Sequence, residues 1–260
     1  MLIVLSPAKN LNFEALTHDL ETTQPRLTSD TAQLIKRTKR LSRSDLRKLM
    51  GISDALADLN YDRFQALAKG LPAEEAKTAI HAFNGDVYRG LDAEHLSDDD
   101  ISWAQDHLRM LSGLYGLLRP LDLIHPYRLE MGSRLDTRRG SDLYDFWGSR
   151  ISKLINEDIQ TASAPVINLA SKEYFSAIDK KALKSDVIDI VFKEEKDGKS
   201  RIMAFYAKYA RGVMANWIIK HRLTNPDELK AFDLEGYRYQ SDASSAQTFV
   251  FSRPQPEPKK

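Results

Sequence analysis

The 260-residue sequence contains no cysteine, which excludes disulfides, thiol nucleophiles, Cys-ligated zinc and iron-sulfur clusters together. It has no apolar run approaching the roughly 18 residues of a membrane-spanning helix, and its opening Met1-Leu2-Ile3-Val4-Leu5-Ser6 is too short for a signal peptide. A cytoplasmic protein without membrane contact is expected. Neither Gly-x-x-x-x-Gly-Lys-Ser/Thr nor Gly-x-Gly-x-x-Gly occurs, which argues against nucleotide-hydrolysing and dinucleotide-dependent enzymes. The six histidines are scattered, and Glu14 with His18 shows an i, i+4 spacing without the further ligands of a metal motif. No cofactor and no metal is therefore expected.

Net charge is also nearly absent, with 38 Lys and Arg against 37 Asp and Glu. The balance hides segregation. Lys36 to Lys48 holds seven cations (Lys36, Arg37, Lys39, Arg40, Arg43, Arg47, Lys48) and one acid, Asp45, while Asp92 to Asp100 holds five acids and no Lys or Arg. A second basic set, Arg109, Arg119, Arg128, Arg134, Arg138 and Arg139, contains no lysine. Its planar forks suit phosphate or carboxylate, and ion pairs with Asp122, Glu130 and Asp136 would absorb about half of them.

The pattern predicts one α/β domain over 1–252, a mixed sheet with surrounding helices, and a disordered tail over 253–260. Leu2 to Leu5 reads as a buried strand. Leu34, Ile35 and Leu41 mark a helix, Ser42 or Ser44 caps a second through Leu49, Gly51 breaks it, and Ser53 caps a third. Pro72, Glu74 and Glu75 predict a helix reaching Phe83 and stopped by Gly85, and Ser97 with Asp100 caps a helix through Leu111. Gly113 to Gly140 is irregular and either functional or composed of short elements. Ser141 opens a helix through Leu154, Val166 to Ala170 is a strand parallel to the first, and Val187–Phe192 with Arg201–Tyr206 form a hairpin around Asp197-Gly198. A helix over 207–223 and strands at 236–239 and 248–251 complete the chain.

Ser6-Pro7-Ala8-Lys9 fits Ser-x-x-Lys, a weak match without its companion motifs. Leu49-Met50-Gly51-Ile52-Ser53 resembles a helix-hairpin-helix turn, with Ser53 where a second glycine is common. Amides at the second helix's N-terminus could meet phosphate there; a plain corner of two helices is the alternative, and adjacent Arg47 and Lys48 weigh toward phosphate.

Several motifs carry a family resemblance: Leu5-Ser6-Pro7-Ala8-Lys9, Phe83-Asn84-Gly85-Asp86-Val87-Tyr88-Arg89-Gly90, Leu111-Ser112-Gly113-Leu114-Tyr115-Gly116-Leu117-Leu118-Arg119-Pro120, Pro126-Tyr127-Arg128-Leu129-Glu130-Met131-Gly132, Leu143-Tyr144-Asp145-Phe146-Trp147, Asn168-Leu169-Ala170-Ser171 and Ala210-Arg211-Gly212. Nearly end to end, the chain resembles the YaaA family of bacterial peroxide-stress proteins. The resemblance implies a family-specific α/β fold, a positively charged cleft, a helix-hairpin-helix and binding to duplex, bubble or junction DNA with little sequence preference, with several copies on one DNA. It also implies a role in limiting peroxide damage, associated with lower free intracellular iron. Motif position and charge give Lys9, Arg47, Lys48, Gly51, Ile52, Ser53, Arg128, Lys172, Lys208 and Arg211 as the expected DNA-contacting residues. The rival expectation is an enzyme acting on nucleic acid or nucleotide phosphates, with Lys9, Asp86 and Lys172 as acid, base or phosphate groups; direct iron sequestration by carboxylates and histidines is a third.

Overall fold

Leu2–Leu5 (β1) is apolar and buried at every position, the pattern of a central parallel strand covered on both faces. In the computed structural model, which describes residues 1–14, 20–159 and 164–257, the chain then runs through Asn10–Leu11 (β2) and the helices Thr28–Thr38 (α1), Arg43–Met50 (α2) and Asp54–Lys69 (α3). His18 lies outside the described residues. Short elements follow: Lys77–Thr78 (β3), Ala79–Ala82 (α4), Phe83–Asn84 (β4), Asp86–Leu91 (α5) and Asp98–His107 (α6). The middle contains Leu108–Ser112 (β5), Gly116–Leu118 (β6), Leu123–Ile124 (β7), Leu143–Trp147 (α7) and Arg150–Asp158 (α8). The last third holds Val166–Leu169 (β8), Lys172–Phe175 (α9), Val187–Lys196 (β9), Lys199–Arg201 (β10), Ala204–Lys220 (α10), Arg238–Tyr239 (β11) and Thr248–Pro254 (β12).

The main sheet has the order β11-β12-β9-β8-β1-β5-β6, with β10 paired to β9. Its five central strands, β12, β9, β8, β1 and β5, are parallel, and antiparallel β6 and β11 close the edges. The α/β class with a mixed sheet is the one expected. Counted along the chain, the parallel strands stand in the doubly wound order 2-1-3-4-5, in which the chain leaves the first strand to one side and returns on the other. That reversal falls between β1 and β8, so the crevice beyond their carboxyl ends is the place where such sheets hold ligands.

Several sequence expectations fail for identifiable reasons. Between Pro72 and Phe83 only a 3-10 turn at Ala73–Glu75, β3 and the four-residue α4 form. The backbone there finds partners outside a helix: Thr78 pairs with Leu123, and the Ala79 and Ile80 amides donate to Asp122 and Pro120 carbonyls. Gly85, read as a stop, immediately precedes α5. The helix capped by Ser97 ends at His107, and its expected last turn is β5, which lies beside β1. Gly148, at φ +49°, divides the helix expected from Ser141 into α7 and α8. The hairpin turn at Asp197-Gly198 forms, but its second strand ends at Arg201 because α10 starts at Ala204. Finally, β12 runs to Pro254 with Arg253 buried, and the Gln255 amide donates to the Glu195 carbonyl, so the chain is structured past 252. Residues 258–260 of the expected tail lie outside the described residues.

Helices α5 and α10 cross at two glycines. A Cβ on Gly212 would lie 1.8 Å from the Val87 carbonyl oxygen, and one on Gly90 would lie 2.3 Å from the Tyr209 carbonyl oxygen. The two backbones therefore touch directly.

Candidate nucleic-acid interface

The α2–α3 hairpin is built by local chemistry. Ser42 caps α2 in a capping box with Asp45, the Ser42 amide donating to the Asp45 carboxylate at 2.9 Å and the Asp45 amide to the Ser42 hydroxyl at 3.1 Å. The serine's hydroxyl and amide hold the Asp45 carboxyl below its ordinary pKa. Gly51 ends α2 in the left-handed region at φ +61°, and Ser53 starts α3, its hydroxyl accepting from the Leu56 amide at 3.4 Å. Ser53 thus satisfies one amide that phosphate would otherwise meet. Arg47 bridges to Asp54 at 3.0 Å with both side chains exposed. Lys48 carries no ion pair among the described residues.

The structure brings the two basic stretches together. Lys36, Arg37 and Arg40 of α1 and Arg138 and Arg139 line a concavity of about 270 Å³, completed by Gln33, Thr137 and Phe146 and free of carboxylates. The Arg37 Nε donates to the Asp136 carbonyl at 2.6 Å. The Arg139 guanidinium bonds Asp30 at 2.5 Å and lies 4.6 Å from the Phe146 ring centroid. Lys36, Arg40, Arg134 and Arg138 have no ion pair among the described residues. A second concavity of about 550 Å³ shares Arg37 and runs past Asp45, Lys48 and Leu49 to Gly132, Arg134 and Asp136.

At its far side Gly132 donates its amide to the Glu173 carboxylate at 2.9 Å, leading to the sheet's carboxyl edge. There the Ser171 amide donates to the Ser6 hydroxyl at 2.8 Å, joining the ends of β1 and β8, and the Tyr88 hydroxyl donates to the Ser6 carbonyl at 3.0 Å. Lys9 meets Glu130 at 2.7 Å and Arg128 meets the same carboxylate at 3.0 Å. Of the expected cleft residues, Lys9 and Arg128 are joined through Glu130, and Lys172 follows Ser171 on the same edge. Tyr88, Tyr127 and Tyr174 lie beneath, and burial pushes each hydroxyl's pKa up.

Lys208 and Arg211 stand on α10. Lys208 is exposed; Arg211 has its Nε shut from solvent without a hydrogen-bond partner, and burial lowers its pKa. Asp86 opens α5 and pairs with Arg89, while Gly85 before it lies against Ala8 of the Lys9 loop. Asp86 and Lys9, two of the candidate catalytic groups, are thus each paired to another residue. Among the described residues no group of three or more His, Asp or Glu side chains is placed to hold a metal ion.

Residues 1–243 match the family described as peroxide stress protein YaaA. A UPF0246 protein of Maricaulis maris is 55% identical over 257 residues, spanning 98% of this chain and 97% of the relative. UPF0246 proteins of Caulobacter vibrioides and Saccharophagus degradans are 52% and 50% identical, each over 98% of this chain and 100% of the relative. The chain belongs to the YaaA peroxide-stress family. It thereby stands among peroxide stress proteins, and among the described residues no helix is long and apolar enough to cross a membrane.

For this YaaA-family chain, sequence reasoning counted Lys36, Arg37, Arg40, Arg134 and Arg138 as charge without placing them in the site. Their unusual density was the available signal. Glu130, shared by Lys9 and Arg128, was anticipated only as an arginine's partner, and the Ser6–Ser171 contact has no local signature. Arg109 and Arg119 are structural: Arg109 and Arg26 both bind Asp158, and Arg119 binds Asp122.

Proposed function

We propose that the protein binds DNA through the phosphate backbone with little reading of sequence, and that occupying DNA in this way limits damage during peroxide stress. The observation that supports it is the meeting of Lys36, Arg37 and Arg40 with Arg138 and Arg139 in one carboxylate-free concavity, continued by Lys48 and Arg134. Duplex DNA presents one charge per ~1.7 Å of axis, and unpaired cations gain most from meeting it. Arg47 joins them readily, because an exposed ion pair such as Arg47–Asp54 is worth only ~0–1 kcal/mol and exchanges for phosphate at small cost. The Gly51–Ser53 turn lies beside Lys48; its Gly51 and Ile52 amides are taken by the Arg47 carbonyl, so the amides it offers to phosphate, which read no sequence, are those from Ser53 onward at the start of α3. Lys9, Arg128, Lys172, Lys208 and Arg211 extend the reading to branched DNA arriving at the sheet edge, with several copies on one molecule.

Electrophoretic or fluorescence titration across salt concentrations tests the reading. Neutralising about five phosphates gives a slope of log affinity against log salt near −4 to −5. A slope near zero removes the reading.

A second reading is favoured by the reversal of strand order between β1 and β8, beyond whose carboxyl ends doubly wound sheets hold ligands. It is an enzyme acting on nucleic acid or nucleotide phosphates, using Lys9, Asp86 and Lys172. Asp86→Asn discriminates: a binder keeps or gains affinity, whereas an enzyme loses turnover.

A further inference from the structure

Ile202, Met203 and Phe205 stand together where the β9–β10 hairpin passes into α10, with 60%, 36% and 59% of their surfaces exposed. Large apolar side chains clustered in solvent mark contact sites. This cluster is held from beneath. The Met203 amide donates to the Glu194 carboxylate at 3.3 Å, and Glu194 is buried, accepts from the Tyr237 hydroxyl and lies 3.7 Å from Arg253. The Arg253 guanidinium lies 4.4 Å from the Tyr237 ring centroid and 5.1 Å from that of Tyr206, whose ring meets the edge of Phe205 at 5.5 Å. A buried carboxylate is unfavourable unless partnered, so the fold commits a buried polar cluster to fixing the backbone of an exposed apolar apex.

The surrounding charge selects the occupant. Lys199, Arg201 and Lys208 are exposed and lack ion pairs among the described residues, and Arg211, one turn beyond Lys208, has no carboxylate partner there either. The exposed acids of the hairpin, Glu195 and Asp197, stand toward its turn. An apolar, partly aromatic apex bordered by unpaired cations is complementary to bases carried on a phosphate backbone. Every base offers a π-face to an aromatic ring, and Phe, Ile and Met side chains enter between unstacked bases.

We infer that Ile202, Met203 and Phe205 form a platform that stacks on unpaired bases of a DNA strand, with Arg201, Lys208 and Arg211 meeting that strand's phosphates. The inference rests on the DNA-binding reading and adds the side chains that meet unpaired bases and the stacking contact by which they do so. The test compares a fully paired 30-base-pair duplex with the same duplex carrying a central run of unpaired thymines. Phe205→Ala and Ile202→Ala, both at exposed positions, are expected to lower affinity for the unpaired probe by about tenfold and to leave the paired probe within threefold. Phe205→Trp keeps the affinity, and its fluorescence is quenched on binding the unpaired probe. Wild-type affinity of both Ala variants for the unpaired probe overturns the platform while leaving duplex binding standing. Loss of self-association in Phe205→Ala without change in DNA affinity also overturns it, assigning the apex to a second copy of the chain. A wild-type protein that binds neither probe removes the platform and the DNA reading together.

Discussion

The Arg37 Nε donates to the main-chain carbonyl of Asp136 at 2.6 Å, across 99 positions of sequence. This bond fastens the cationic face of α1 to the arginine-rich 134–139 segment. A carbonyl acceptor leaves the positive charge of Arg37 uncancelled, so the contact organises the basic concavity without neutralising it.

Charge reversal in that concavity is expected to weaken DNA binding uniformly. Lys36→Glu and Arg138→Glu should each reduce affinity for unrelated duplexes to the same extent and make the salt slope shallower by about 1 unit. Titration of two duplexes of different sequence checks this, and a loss restricted to one of them contradicts backbone recognition. Arg47→Glu with Lys48→Glu should act in the same direction.

Gly51 holds φ +61° with open space around the position of a Cβ. A β-carbon meets no neighbour there, so the cost is one of backbone conformation alone. Gly51→Ala is expected to lose ~1–2 kcal/mol of stability. Gly51→Pro, whose ring fixes φ near −65°, should also displace the hairpin and reduce affinity for all duplexes alike. Urea unfolding and DNA titration of the two variants separate these effects.

Gly212→Ala presents the opposite case, since its Cβ would fall 1.8 Å from the Val87 carbonyl oxygen. No side chain can yield at that contact. The helices must separate, and a loss of ~3 kcal/mol is expected from such overpacking. A denaturant midpoint equal to that of the unmutated protein would show that α5 and α10 do not cross as described.

Asp158 should make stability depend on acid. Burial alone would raise its pKa, but the guanidinium groups of Arg26, at 2.6 and 2.7 Å, and Arg109, at 2.6 Å, outweigh burial and hold the carboxyl below its ordinary value of 3.8. A carboxyl depressed in the folded state contributes stability above its unfolded pKa and loses it as pH falls through the folded value. Denaturation at stepped pH should therefore show this contribution intact near neutrality and declining below about pH 4. In Asp158→Ala the decline should be reduced and stability near neutrality lowered by ~3–5 kcal/mol, because Arg109 is left buried without its partner.

Much of the hairpin was legible because its determinants are local. Ser42, Gly51 and Ser53 each act on the few residues beside them, and the observed helices begin and end there. The strand β1 was legible from four consecutive apolar residues, whereas β5 was hidden because Leu108 follows α6 without a Gly or Pro and only its place beside β1 makes it a strand. Gly85 misled because a glycine can close one helix or precede another, and the partners that decide, such as Leu123 for Thr78, lie far away in sequence. The candidate site divides similarly. Both basic stretches were visible as composition, but their meeting depends on contacts such as Arg37 with the Asp136 carbonyl, which no residue type announces. At the sheet edge, Lys9, Arg128 and Lys172 could be chosen by motif, while the carboxylate that joins the first two could be placed only by the fold.

With main chain resting on main chain at Gly90 and Gly212, no layer of side chains separates α5 from α10 at their crossing. A β-carbon at either position must therefore displace one helix from the other, and α5 carries at its start the Gly85 backbone that packs on Ala8 beside Lys9. Two missing methyl groups thus set the spacing at which the Lys9 loop is met.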